Sequence, residues 1–271
     1  MPWESNYYPV IPIVYPIYVG KSKDTGRTKP LEMRCETNDG PADYIVKLWG
    51  NADLGLGSHS LVREIYGSLL SNFFGLLTPE IALVNIEPDF PMSQPNPEIQ
   101  SRLNQSLGLN FGSKLMTGVA IFNNPIPSTR MSDAAKVFCF DMLIGNLDRR
   151  INKPNVFHTA EGFILFDHEQ AFPFSRPLTM LGGYPSAWDF IREEWSRNHV
   201  FFPGLRGRDC LLEIEAFVMI LDELSGNIFD KIEEQIPAAW RTPDLQALRN
   251  YLLNARDNAQ LFKRSLQEIL A

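Results

Sequence analysis

The sequence predicts an α+β fold of two lobes, a β-rich N-lobe over residues 1–118 and a mostly helical C-lobe over residues 119–271. Three observations predict it. Short apolar runs around an Asn38-Asp39-Gly40 turn crowd the first part, a good hairpin signal. Apolar stripes at helical spacing fill the last third, as core-facing helices require. Between them lies a charged loop with an apolar helix before it and two short strands after it. A chain of 271 residues is long enough for two lobes with a substantial core.

The apolar run Tyr8 to Val19 opens the ordered pattern. About a dozen residues fall short of the ~20 needed to span a membrane, and Pro9, Pro12 and Pro16 interrupt it. It has neither the basic stretch nor the small-residue cleavage site of a secretory signal, so it reads as a lead-in and an edge strand. A three-strand meander follows: Tyr18 to Gly20, Leu31 to Glu36, and Tyr44 to Leu48. The connection Lys21 to Lys29 carries small, hydroxyl and basic residues, which suit a loop over phosphates but equally a solvated surface loop, since neither the P-loop spacing nor G-x-G-x-x-G is present. Leu61, Ile65, Leu69 and Phe73 mark a helix over 60–74, capped at Ser58 or Ser60 and stopped by Gly75. Ile81 to Ile86 is a strand. Glu87 to Asn110, with four prolines, reads as an insertion with a short helix near Ile99 to Leu107. The crossover between lobes falls near Leu115 to Gly118, with a cleft suited to stacking a nucleotide base.

In the second part, Ala135, Val137, Phe138, Phe140, Met142 and Leu143 mark a buried helix over 132–143. Strands Val156 to His158 and Ile164 to Phe166 flank a Glu161-Gly162 turn, and Phe172 to Gly183 is irregular. Two further stripes, Ile214 to Leu224 and Leu245 to Leu266, are core faces, the second starting at Thr242-Pro243 with proline at the first helical position.

Charge and cysteine usage narrow the function classes. A net charge of −7 and a pI of 5.2 supply no basic field for nucleic acid or an anionic membrane. Cys35, Cys139 and Cys210 are odd in number, far apart and without C-x-x-C spacing, which excludes a disulfide framework or zinc site and suits a cytoplasmic setting. The four histidines show no ligand spacing.

The chemistry concentrates in Asn146-Leu147-Asp148, Asn155 and Asp167. Each residue alone is an ordinary loop former. Their order is that of a phosphoryl-transfer site, in which one Asp takes the substrate hydroxyl, an Asn soon after binds Mg²⁺, and an Asp ending the next hairpin binds metal again. Lys47, late in a strand, and Glu64, on the next helix, fit the pair that anchors nucleotide phosphates, although each is also compatible with a surface role.

Tyr44-Ile45-Val46-Lys47, Glu64 and Asn146-Leu147-Asp148-Arg149, with Gly26-Arg27-Thr28-Lys29-Pro30, Phe111-Gly112-Ser113-Lys114, Pro154-Asn155, Asp167-His168-Glu169 and Ile236-Pro237-Ala238-Ala239-Trp240, resemble the HipA-like kinase family, in its compact branch without the N-terminal toxin subdomain. The resemblance covers nearly the whole chain and implies a two-lobed protein-kinase-like fold, related to protein and phosphatidylinositol kinases. It implies Asp148 as the catalytic aspartate, Asn155 and Asp167 as Mg²⁺ ligands, Lys47 with Glu64 as the phosphate-anchoring pair, and Gly26 and Thr28 in the phosphate loop. There are departures: the family often has Asn where Lys153 stands, and many relatives have His where Arg150 stands. The activity implied is ATP- and Mg²⁺-dependent transfer to a Ser or Thr hydroxyl of a protein, with an antitoxin-like or regulatory protein as a possible partner and no direct nucleic-acid or membrane contact. The alternatives are a nucleotide-binding module acting through a partner, transfer of AMP or of phosphate to a lipid or small molecule, and, more remotely, a metal-dependent hydrolase, which would leave Lys47 and Glu64 without roles.

Overall fold

The computed structural model describes residues 10–22, 29–50, 57–123, 125–146, 148–172 and 194–271. It is a mixed α+β fold. Five strands, β1 (Ile13–Ser22), β2 (Leu31–Glu36), β3 (Ala42–Lys47), β4 (Ile81–Ile86) and β5 (Gly108–Lys114), close into a barrel in the order β1-β2-β3-β5-β4. The meander of the sequence is its first three strands. Along β2, Leu31, Met33 and Cys35 point inward, while Arg34 and Glu36 point to solvent, the period-two alternation of a strand with one wet face. They meet Val14, Val19, Tyr44, Val46, Val84 and Ile86 in a core of their own.

Two expectations are corrected here. The proline-containing first strand is not an edge: β1 pairs with β2 antiparallel and with β4 in parallel. The parallel pairing engages Ile13 and Val14, before Pro16, and the β1–β2 register shifts between Pro16 and Tyr18. The missing proline N–H therefore falls at an irregularity, where the ladder tolerates it. The segment read as an insertion up to Asn110 ends earlier, because Gly108 to Asn110 already belong to β5, paired with β4 from Ile86 to Val84. Within it, α2 (Pro97–Asn104) begins with proline at the first turn, and the Asn96 side chain accepts bonds from the N–H groups of Glu98 (2.9 Å) and Ile99 (3.2 Å), a proper N-cap.

Helix α1 (Gly57–Phe73) connects β3 to β4. Its apolar residues Leu61, Ile65, Tyr66, Leu69, Leu70 and Phe73 are buried, and they belong to the larger hydrophobic core built by the helices of the second part. The helix stops as expected at Gly75, whose φ of +70° lets the Leu76 N–H reach back to the Ser71 carbonyl at 2.9 Å.

The second part begins with a small sheet, β6 (Ala120–Ile121), β7 (Val156–His158) and β8 (Phe163–Leu165), in that order. Helix α3 (Met131–Ile144) is buried continuously from Val137 to Ile144, as a helix apolar on nearly all sides must be. It ends at Gly145 in the left-handed conformation. Short helices α4 (Glu194–Arg197) and α5 (Phe202–Leu205) lead to α6 (Leu211–Asp222), α7 (Gly226–Glu234), α8 (Asp244–Asp257) and α9 (Ala259–Leu270). The long C-terminal stripe is therefore two helices, broken at Asn258, whose backbone leaves the helical region (φ −115°, ψ 25°). The phase of Leu252, Ala255, Ala259 and Phe262 carries across the break, so both helices bury the same stripe, and periodicity alone does not reveal the joint. Among the described residues, no helix is long and apolar enough to cross a membrane.

Candidate active site

The site is assembled where the barrel, α1 and the small sheet meet. In β3, Tyr44 and Val46 fill the barrel, so alternation directs Ile45 and Lys47 out of it. Lys47 is nonetheless buried. Its Nζ donates to Glu64 Oε1 of α1 (2.5 Å), to Asp167 Oδ1 just beyond β8 (2.6 Å), and to Glu169 Oε2 (2.8 Å). Burial pulls the lysine pKa down, but Asp167, Glu64 and Glu169 together outweigh it and hold Lys47 well above the ordinary lysine value. Burial pushes Glu64 up to about 7 in spite of Lys47 beside it. For Asp167 the balance runs the other way: burial favours the neutral acid, but Lys47 and Lys153 prevail and hold the carboxyl well below the usual carboxylate range.

Glu64 can reach this point because α1 lies close against the chain after β8. At Gly67 a Cβ would stand 2.4 Å from the His168 Cβ, so only glycine permits that approach. The His168 N–H then donates to Glu64 Oε2 at 2.9 Å, which fixes the carboxylate from its second side.

Asp148 lies in the loop after α3, its backbone N–H donating to Asn146 Oδ1 (3.4 Å). Its carboxylate is held by two cations: Arg150 Nη2 reaches Oδ1 at 3.1 Å, and Lys153 Nζ contacts Oδ2. Lys153 also lies 3.3 Å from Asp167 Oδ2. Asn155 Nδ2 donates to the Asp148 carbonyl at 3.3 Å, leaving its Oδ1 without a partner among the described residues. Asn155 (φ 49°) and Asp167 (φ 63°) both adopt the left-handed conformation, which Asn and Asp enter more readily than other non-glycine residues. Gly26 and Thr28, the expected phosphate-loop residues, lie outside the described residues.

Lys47, Glu64, Asn155 and Asp167 line a cavity of about 580 Å³, within the usual range for a small-molecule site. Apolar residues also line it, with Pro30 and Ile45 on the barrel side and Ile121, Phe157 and Leu165 from the small sheet. Leu115 and Met116 line it where the chain passes from one part to the other.

The sequence matches the HipA-like kinase family over residues 17–268. The chain belongs to the HipA-like kinase family. Among solved structures, the crystal structure of the Helicobacter pylori proinflammatory kinase CtkA is similar in fold, with a TM-score of 0.52 and 12% identity over 92% of this chain and 96% of that one. A comparison with curated protein sequences gives no match. Membership makes the chain a kinase-type phosphotransferase, a class that in general uses ATP and a divalent metal.

In this HipA-like kinase two arrangements of oxygen donors bear on a metal. Glu64, Asp167 and Glu169 converge, with ligand atoms within 4.8 Å of one another, but the Lys47 ammonium sits among them. The carboxylate of Asp167 with the unpartnered Oδ1 of Asn155 is a hard-oxygen pair of the kind Mg²⁺ takes when substrate phosphates and water complete its shell, and it fits.

The loop bearing Asp148 is fixed from beneath by groups to which the sequence assigns no role. Arg149 is fully buried, with Nε 2.5 Å from Asp141 Oδ2 and Nη1 donating to the carbonyls of Asn155 and Phe166. His199 Nδ1 accepts from the Phe201 N–H (3.2 Å), so its Nε2 carries the proton and donates to the same Asp141 oxygen at 2.9 Å. Burial works against the Asp141 anion, yet Arg149 and His199 hold its pKa below the ordinary value. A carboxylate inside the apolar run Phe138-Cys139-Phe140-Asp141-Met142-Leu143 was a usable signal, since a buried charge needs a partner. His199 offered none, because only the tertiary fold brings it there.

Proposed function

We propose that this HipA-like kinase transfers the γ-phosphoryl group of Mg²⁺-bound ATP to a Ser or Thr hydroxyl of a protein. The observation that carries the reading is the convergence of Lys47, Glu64, Asn155 and Asp167 around one cavity, with Asp148 tied to it through Lys153. The apolar lining residues Ile45, Phe157 and Leu165 suit a purine base. Lys47 would bind the phosphates, held in place by Glu64. Asp167 and Asn155 would hold the metal ion, which when bound draws off charge from the phosphate oxygens.

In the transfer, the acceptor hydroxyl oxygen forms a bond to the γ-phosphorus, the bond from that phosphorus to the β,γ-bridging oxygen breaks, and ADP leaves with the electron pair. Asp148 orients the hydroxyl and receives its proton. Both Asp148 oxygens are engaged by Arg150 and Lys153, so one must be released first; Arg150, half exposed, gives up a solvent-screened contact worth at most about 1 kcal/mol. Placement and electrostatics do the rest. The test is intact mass after incubation with Mg-ATP, for wild type and Asp148→Ala, each beside a nucleotide-binding assay. A gain of phosphate in wild type alone, or transfer to an added protein substrate lost in the variant by about 10²–10⁴-fold, is expected. Tight Mg-ATP binding with no transfer to any substrate would favour a binding module, the reading supported by the doubly held Asp148 carboxylate. A gain of AMP would shift the reaction to nucleotide transfer.

A further inference from the structure

We propose that the Lys153 ammonium stands in for a second divalent cation, so that this site works with a single metal ion. The inference rests on the kinase reading above. Kinase-type sites use an Asp and a loop Asn to hold two cations that neutralise the phosphate charge. Here a fixed monovalent cation already bridges the two aspartates, with Lys153 Nζ in contact with Asp148 Oδ2 and 3.3 Å from Asp167 Oδ2.

Its position is built into the backbone. Arg150 and Lys153 exchange two hydrogen bonds of 3.0 Å, N–H to carbonyl in each direction, closing a tight loop whose next residue, Pro154, restricts the backbone at Lys153 itself. The side chain lines the cavity and is 40% exposed, so its ammonium faces the space that transferred phosphates would enter.

Most of the carboxylates around the site are already engaged by cations. Glu64 and Glu169 are engaged by Lys47, and Asp148 by Arg150 and Lys153. Asp167 has one oxygen toward Lys47 and one toward Lys153. A metal on Asp167 and Asn155 draws on one of those oxygens, and a second metal would have to displace Lys153 from the other. An ammonium held by two carboxylates resists that displacement, and it offers the γ-phosphate hydrogen-bond donors where a second ion would offer coordination.

The experiment counts metal ions. Mn²⁺ is titrated, with detection by electron paramagnetic resonance, into protein saturated with a non-hydrolysable ATP analogue, and analogue binding is measured in the same samples. One Mn²⁺ per chain is expected for wild type and two for Lys153→Asn, which exchanges the ammonium for an amide oxygen donor. Two Mn²⁺ in wild type, or one in a folded Lys153→Asn variant, overturns the proposal and leaves the kinase reading standing. Should Lys153→Asn fail to fold, the wild-type count alone decides. Failure of the analogue to bind wild type at any Mn²⁺ concentration overturns the kinase reading itself.

Discussion

The buried pair of Arg149 and Asp141 can be put to a quantitative test by removing each partner and then both. Arg149→Met leaves a fully buried carboxylate whose side-chain partners among the described residues are His199 and Asn146. Breaking a buried pair from one side costs about 3–5 kcal/mol. The carbonyls of Asn155 and Phe166 lose a donor as well, at about 1 kcal/mol each. The sum approaches the lower end of whole-domain stabilities, about 5–15 kcal/mol, so this variant should be barely folded at 25 °C. Asp141→Leu leaves the guanidinium without its counter-charge and costs about 3–5 kcal/mol. The double variant removes both charges from an apolar surround, and its cost should fall short of the sum by about 2–3 kcal/mol. Urea unfolding at pH 7, followed by circular dichroism, measures all three. Single losses under about 1 kcal/mol, or costs that simply add, would show that the pair does not carry the loop as described.

Three further predictions concern the same region. Asp167→Ala should weaken Mg-ATP binding at least tenfold, measured by calorimetry with and without Mg²⁺; unchanged nucleotide affinity would count against its metal role. Gly67→Ala places a methyl 2.4 Å from the His168 Cβ, and overpacking of this kind costs about 1–3 kcal/mol, visible as a lower melting temperature; an unshifted melt would mean the contact yields freely. His168 is fully buried, and burial lowers its pKa from 6.5 to about 3. Its folded value lies below its unfolded one, so between pH 6.5 and 3 the unfolded chain takes up a proton that the folded one does not, and stability falls as the pH drops. The group should account for about 2 kcal/mol lost between pH 7.5 and pH 5, and His168→Leu should lose correspondingly less over that range in urea titrations; identical pH dependence in the two proteins would sink the assignment.

Much of the fold was legible because local signals agreed with tertiary ones. The Asn38-Asp39-Gly40 turn lies between paired strands β2 and β3, and Gly75 ends α1. The order of Lys47, Glu64, Asp148, Asn155 and Asp167 anticipated residues that the structure brings to one cavity, with Asp148 at its rim through Lys153. What escaped was non-local. Closure of the barrel depends on β1 meeting β4 across about seventy residues of chain, a pairing that hydrophobic alternation does not encode. The break at Asn258 escaped because the buried stripe runs on unshifted through it. Glu169 stood beside Asp167 in the sequence, but its third contact to Lys47 requires the turn that the left-handed Asp167 makes. The Asp141–Arg149–His199 network needs α3 and the segment before α5 in register; Arg149 stood in the family motif and Asp141 in an apolar run, but nothing local ties either to His199.

The three cysteines give this molecule a built-in set of chemical clocks. All are free and buried, with Cys35 inside the barrel core and Cys139 and Cys210 in the larger helical core. Burial also pushes the Cys35 thiol up to about 12 and raises the other two, so none reacts as a thiolate while its surroundings stay closed. Alkylation under native conditions therefore proceeds only through opening events, and mass mapping of the modified peptide tells which core opened. A nucleotide that clamps the barrel onto the rest of the chain would slow the clock at Cys35, and the ratio of the three rates would separate local breathing from global unfolding.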